Sequence, residues 1–289
     1  MGTRQPAGTC YVGSSHPRRP AQRAAGSGPD AGRDRNWGRA RHIRNGAIAA
    51  EITAEGGLRF LDAGGRELLA EATPHFSKPP VRHLKPAGGD HFRVEMRFKA
   101  YDDERFYGLG QHPHGRLDQK GCIVDLIQHN TEVSIPFLLS SRGYGFLWNN
   151  PAVGRVELGW NGTRWVAEAT PQLDYWITAG EAPAQIVERY TEAVGRAPML
   201  PEWAASFWQC KLRYRTQEEL LAVAREYKRR GLPLAVIVVD FFHWTKQGDW
   251  QFDPECWPDP AAMVRELERD GRQADGFHLA QHQSAQHQF

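Results

Sequence analysis

The sequence predicts an all-β sandwich or barrel followed by the opening of a parallel α/β fold, and two textures and one interruption point to it. Between about residues 41 and 180, short alternating segments recur between glycine-rich turns. From 183 onward, helical periodicity alternates with strand-like apolar runs, and beyond Gly271 the alternation breaks off. Many short strands at close spacing build sandwiches or barrels, whereas strands alternating with helices build parallel sheets.

The first texture predicts strands over 47–53, 58–60, 91–100, 121–127, 133–140, 143–148, 153–158, 163–168 and 173–178, with turns such as Glu55-Gly56-Gly57 and Ala63-Gly64-Gly65 between them. The second begins with a helix over 183–194, whose Ile186, Val187, Tyr190 and Val194 share one face and which Gly195 ends. Pro198 and Pro201 then stiffen a linker, and 204–211 is read as a strand. Thr216 opens a helix with a capping box, because Glu219 lies three residues on. Gly231 stops that helix, and Leu234 to Val239 form an uninterrupted apolar run suited to a parallel strand covered on both faces. Asp259 and Pro260 start another helix as N-cap and first-turn proline, running to about 270. A third strand is due at 272–289, but that stretch is rich in Gln and His and has no apolar run. The series therefore stops after about two parallel strands.

Composition narrows the function classes. A net charge of +2 gives no footprint for nucleic acid or a membrane surface, and no apolar run is long enough to cross a bilayer. The first forty residues are arginine-rich and poor in large apolar side chains, so disorder is expected there, with no apolar core of a secretory signal. A soluble, cytoplasmic protein is the resulting expectation. Cys10, Cys122, Cys210 and Cys256 are too scattered for a metal motif and too few for a disulfide framework, which suggests reduced thiols. His112, His114 and Asp118 lack metal-ligand spacing and a fourth ligand. No metal and no cofactor is expected. Asn161-Gly162-Thr163 matches a glycosylation acceptor, a signal of little weight without a secretory leader.

The stretch 233–260 is the richest in chemistry. Asp240 follows the apolar strand at its carboxyl end, where open α/β sheets and α/β barrels bind ligands. Phe241, Phe242, Trp244 and Trp250 stand among His243, Lys246 and Asp249, a mixture of flat apolar faces and polar groups suited to sugar rings. Each has a plainer alternative. Asp240 can cap a loop, His243 can be a hydrogen-bonded loop residue, and Arg213 can pair with a surface acid.

Several stretches, taken jointly and in order, resemble glycoside hydrolase family 31, the retaining α-glucosidases and α-xylosidases. They are Phe106-Tyr107-Gly108-Leu109-Gly110-Gln111, Ser134-Ile135-Pro136-Phe137, Ser140-Ser141-Arg142-Gly143-Tyr144-Gly145, Pro201-Glu202-Trp203, Arg213-Tyr214-Arg215-Thr216-Gln217-Glu218-Glu219-Leu220 and 233–260. The resemblance spans roughly 42–271. It implies a galactose-mutarotase-like β-sandwich over 41–195 and the start of a (β/α)₈ TIM barrel over 196–271, which leaves 1–40 as a disordered segment open to a non-native origin and 272–289 as an aberrant tail. It also implies hydrolysis of α-linked glucosides or xylosides by double displacement, which needs two carboxyl groups. In the family both lie on later barrel strands, so no catalytic residue is assigned here. Asp240 matches the family aspartate that accepts hydrogen bonds from sugar hydroxyls. Trp244 and Trp250 stack on the sugar or close the barrel mouth, and His243, Trp208 and Arg213 are further candidate lining residues. A loop of the sandwich reaches over the active site in the family, which brings the segment after Gly110 into question as a rim. Ser206 departs mildly from the small residue usual there.

The expected ligand is an α-linked oligosaccharide or glycoside. The chain by itself is expected to be inactive, with a non-catalytic carbohydrate-binding module as the alternative and a protein-interaction role as a third class. One set of codons for 272–280, read without its first base, encodes Val-Lys-Leu-Met-Val-Ser-Ile-Trp-Pro. That is the apolar strand the alternation demands, so an inserted base near Gly271 is expected to explain the interruption.

Overall fold

The computed structural model of the protein describes residues 9–13, 41–73, 80–246, 248–249, 251–271 and 278–281. The chain divides into two compact units, Met1–Arg196 and Ala197–Phe289.

In the first unit, three antiparallel sheets are built from β1 (Thr9–Gly13), β2 (Arg41–Asn45), β3 (Ile48–Ile52), β4 (Leu58–Asp62), β5 (Glu67–Ala70), β6 (Arg82–Gly88), β7 (His91–Phe98), β8 (Phe106–Gln111), β9 (Ile123–Leu126), β10 (Val133–Ser140), β11 (Tyr144–Trp148), β12 (Gly154–Gly159), β13 (Gly162–Thr170) and β14 (Asp174–Ala179). The strand orders are β2-β3-β4-β5, β6-β7-β13-β12-β9 and β1-β14-β11-β10-β8. Every strand expected from the sequence falls on one of these. Not expected were β2, β5, β6 and β8, and each lies at a sheet edge. The first forty residues were expected to lack structure, and β1 corrects this for Thr9–Gly13, which pairs antiparallel with β14 from Thr9↔Thr178 to Gly13↔Asp174. Thr9, Tyr11 and Val12 give this stretch a strand preference that the surrounding arginines and glycines obscure. The remainder of the arm lies outside the described residues.

The two five-stranded sheets face each other across an aromatic core. Phe98 and Trp165 on one meet Phe146, Trp148 and Tyr175 on the other, with ring centroids 4.7 to 5.9 Å apart. Edge-to-face and offset contacts of this kind add to the burial of large rings. Phe60 of the four-stranded sheet packs edge-on against Tyr175 at 6.2 Å. Along β12, Val156 and Leu158 point inward while Arg155 and Glu157 point out. The outward side chains join Arg93, Glu95, Arg97, Arg164 and Glu168 in a layer of ion pairs.

The Phe106–Gln111 motif has a backbone cause. Gly108, Leu109 and Gly110 all have positive φ, and the register between β8 and β10 shifts there. A Cβ on Gly110 would lie 1.8 Å from the Val133 carbonyl oxygen, so only glycine permits this bulge. Leu109 is fully buried and held in the same turn. On the outer face of the β14 sheet, helix α1 (Pro183–Val194) lays Ile186 against Phe137 and Trp176, and Tyr190 stacks on Phe137 at 3.9 Å.

The second unit contains a 3₁₀ turn at Glu202–Ala205, then β15 (Trp208–Cys210), α2 (Gln217–Arg229), β16 (Val236–Val239), α3 (Pro260–Gly271) and β17 (His278–Gln281). The three strands are parallel in the order β15-β16-β17. Where a strand over 204–211 was expected, the chain first makes a 3₁₀ turn and then a shorter strand. Pro201 precedes the turn as its N-cap and Ser206 closes it with its N–H on the Trp203 carbonyl. The expectation that no strand follows α3 is corrected as well, because β17 pairs with β16 from Val236↔His278 to Val239↔Gln281. A parallel ladder bonds through backbone groups, and α3 returns the chain beside the open edge of β16 without needing an apolar run. Residues 272–277 and 282–289 lie outside the described residues.

The capping residues act largely as their types predict. Thr216 accepts from the Glu219 N–H at 3.2 Å, while the Glu219 carboxylate takes the Arg215 N–H at 2.7 Å instead of reaching the cap residue's own N–H. Asp259 caps α3 by accepting from the Ala262 N–H at 2.8 Å. Leu220, Leu221 and Ala224 of α2, Met263 and Leu267 of α3, and Ile237 and Val239 of β16 form the core with Tyr214 and Trp257. Among the described residues no helix is long and apolar enough to cross a membrane.

Candidate functional site

Parallel β15 and β16 bring their carboxyl ends to the same side of the sheet, and Asp240 is the first residue past β16. A strand ends here because Asp240 turns its side chain onto its own chain, with Oδ1 accepting the Phe241 N–H at 2.8 Å. Oδ2 accepts from the Cys210 thiol at 3.3 Å, across the strand pair. Cys210 closes β15 in register with Val238, which puts its Sγ within reach of a carboxylate two residues farther along the neighbouring strand. The carboxylate is thus held by β15 and by the loop that follows Asp240, and remains partly exposed.

The loop after Asp240 is fastened by His243. Its Nδ1 lies 3.2 Å from the Asp240 carbonyl oxygen, which only accepts, so Nδ1 carries the proton. Its own carbonyl accepts the Asp253 N–H at 2.7 Å, closing the far side of the loop. His243 is 1% exposed, and burial pushes its pKa below the ordinary value despite the hydrogen bond to Asp240. The neutral ring is wedged between Trp244, edge-on at 4.6 Å, and Phe252 at 5.1 Å. Such a histidine anchors a loop rather than moving protons near neutral pH.

Phe242 sits at φ 65°, a conformation that costs a bulky side chain of order 1–3 kcal/mol and that the His243 bonds hold in place. Phe242 is 59% exposed, and the Arg213 guanidinium lies over its ring at 4.8 Å. That contact replaces the ion pair considered for Arg213, which makes none among the described residues. Trp244 is buried, packing near Phe241 and Phe242 at 6.2 and 6.1 Å, so it supports the loop from below.

The structure therefore brings Asp240, His243, Trp244 and Arg213 together. It does not bring Trp208 to them. Trp208 begins β15 opposite Val236, four residues short of Asp240, or about 13 Å at ~3.3 Å per residue. Its indole donates to the Ala204 carbonyl at 3.2 Å and lies 6.1 Å from Trp203. Trp250 lies outside the described residues. Cys210 was missed, because a lone cysteine near a strand end carries no signal until the neighbouring strand is placed beside it. Among the described residues no cluster of His, Cys, Asp and Glu is arranged to hold a metal.

Comparison with known proteins supplies the lineage. The family model for the glycosyl hydrolase 31 N-terminal galactose mutarotase-like domain matches residues 35–157, and that for the glycosyl hydrolases family 31 TIM-barrel domain matches 197–280. An uncharacterized family 31 glucosidase of Pseudescherichia vulneris is 45% identical over 247 residues, which are 79% of this chain and 47% of that protein. Alpha-xylosidase A of Aspergillus niger is 35% identical over 235 residues, 77% of this chain and 32% of the relative. Among solved structures, a GH31 alpha-xylosidase from a soil metagenome, complexed with xylose, aligns with a TM-score of 0.74 at 48% identity, covering 86% of this chain and 38% of its own. The chain thus spans less than half the length of these relatives.

Proposed function

Because the chain belongs to glycoside hydrolase family 31, we propose that its second unit carries part of an α-glycosidase sugar site, in which Asp240 accepts hydrogen bonds from hydroxyls of an α-xylosyl or α-glucosyl residue. The observation behind this is the double anchoring of Asp240 at the carboxyl end of β16, by Cys210 of β15 and by the Phe241 N–H, beside an exposed aromatic residue. An ionised acceptor binds hydroxyl donors more strongly than a neutral one. Relatives named as xylosidases, at 35% and 48% identity, favour a xylose-type ring as the first ligand to try. His243 holds the loop, Trp244 supports it, and Arg213 with Phe242 forms its rim.

Double displacement in retaining glycosidases uses two carboxyl groups about 5–5.5 Å apart, one as nucleophile and one as proton donor. We assign neither role to a described residue, and Asp240, already accepting two hydrogen bonds, is read as a recognition group. Calorimetric titration with D-xylose, D-glucose and maltose tests this. Binding of a pentose or hexose is expected, and Asp240→Asn should weaken it about tenfold or more, the value of a charge-assisted hydrogen bond of roughly 1.5–3 kcal/mol. Absence of heat with all three sugars, or equal affinity in the variant, would overturn the assignment. Aryl α-xyloside and α-glucoside should not be turned over by the chain alone, and hydrolysis with retention would show that a carboxyl pair has been overlooked.

A further inference from the structure

Asp240 is not the only side chain in its site with a fixed task. An ionised carboxylate offers about four lone-pair sites. Among the described residues its side chain has two partners, the Phe241 N–H on Oδ1 at 2.8 Å and the Cys210 S–H on Oδ2 at 3.3 Å. We infer that Cys210 is a positioning residue for Asp240, its thiol fixing the carboxylate plane so that each oxygen keeps one lone-pair site for a pair of neighbouring sugar hydroxyls.

The carboxylate torsion of an aspartate is soft, with broad wells, so a single anchor on Oδ1 would leave the plane free to rock. A second anchor from the adjacent strand removes that freedom. Cys210 is itself held in place for this. It pairs in register with Val238, and its carbonyl accepts from Gln209 Nε2 at 3.0 Å. Gln209 in turn is tied to the Tyr214 hydroxyl at 3.2 Å and accepts from the Tyr227 hydroxyl at 2.6 Å. The thiol must stay protonated to donate, and burial together with the neighbouring Asp240 charge holds its pKa above the ordinary cysteine value. Cys210 is nonetheless exposed, so a small electrophile reaches it. An exposed thiol that a neighbouring carboxylate keeps protonated should react slowly with electrophiles.

The sugar as ligand rests on the proposed function, whereas the Cys210–Asp240 bond does not, and the experiment separates the two. Iodoacetamide alkylation of the full chain, followed peptide by peptide by mass spectrometry, uses Cys256 as the internal reference. Asp240→Asn should speed alkylation of Cys210 about fivefold at neutral pH, the effect of removing one unit charge about 4 Å away in water, and leave Cys256 unchanged. An unchanged Cys210 rate would overturn the inference. A variant that failed to fold would expose Cys256 as well, and Asp240→Ala in its place repeats the comparison. In the second arm, Cys210→Ser, which retains a donor, should keep D-xylose affinity, while Cys210→Ala should lose about three- to tenfold. Equal affinities in Ser and Ala variants would refute the positioning role. No D-xylose binding by the unsubstituted chain would sink the sugar reading alone, leaving the alkylation arm to decide the thiol.

Discussion

Single residues differ in how far their type announces their task. Asp240 is conspicuous because a carboxylate ends an uninterrupted apolar run, and the structure places it at the end of β16. Cys210 and Trp208 are not, since only the placement of β15 beside β16 shows that Cys210 meets Asp240 and Trp208 does not. Glu104 is a sharper case. Within Asp102-Asp103-Glu104 it looks like a solvated acid, yet it is 2% exposed. Its Oε1 accepts from Ser140 Oγ at 2.6 Å and from the Tyr144 hydroxyl at 2.7 Å, while Oε2 is buried with no hydrogen-bond partner among the described residues. Burial pushes the Glu104 pKa up, outweighing these bonds and the nearby Lys120 and Arg142 charges. A carboxyl raised above its unfolded value of 4.5 favours the fold fully below that pH and progressively less as pH rises toward its folded pKa. Urea unfolding should therefore show stability of the native chain falling as pH rises from about 4.5, by up to ~1.4 kcal/mol per unit, relative to Glu104→Gln. Parallel pH profiles for the two chains would show that Glu104 ionises freely.

At the scale of elements, the central strands of the first unit were all legible, whereas of its edge strands only β9 was. Alternation is enforced where a strand has neighbours on both sides and a core beneath it, as along β12. At an edge, charged residues, proline and glycine are tolerated, and β2, β6 with its Pro86, and β8 with its glycines accordingly read as loops. The same logic applies to β15 and β17, whose pairing depends on helices returning the chain beside β16. The bulge in β8 is the element most exposed to a single change. Gly110→Ala should cost about 3 kcal/mol or more, combining overpacking with left-handed strain, because its Cβ would meet the Val133 carbonyl at 1.8 Å. Gly115→Ala, with φ 68° and nothing within 4 Å, should cost only about 1–2 kcal/mol. Equal losses in urea titrations of the two variants would mean that the bulge relaxes around a methyl group.

The whole chain contains two units, each with a core of its own. In the first, Phe60, Phe98, Phe146, Trp165 and Tyr175 belong to one continuous cluster, while the second is built around Ile237, Val239, Trp257 and Met263. Residues 1–196 expressed alone should therefore unfold cooperatively, with the near-ultraviolet dichroism of fixed aromatic rings. An expanded species that binds hydrophobic dyes and lacks that signal would contradict the division.

The amino-acid sequence by itself determined the order of the two folds, the central strands and the α2 and α3 caps, together with the strand-end carboxylate of the candidate site. Each of these is written in neighbours along the chain, through period, turn residues and capping types. Only the tertiary structure decided the edge strands other than β9, the third parallel strand, the burial of Glu104 and the bond between Cys210 and Asp240. These depend on partners far apart in sequence, thirty residues in the case of Cys210 and Asp240, and pairing across strands leaves no mark in local residue order.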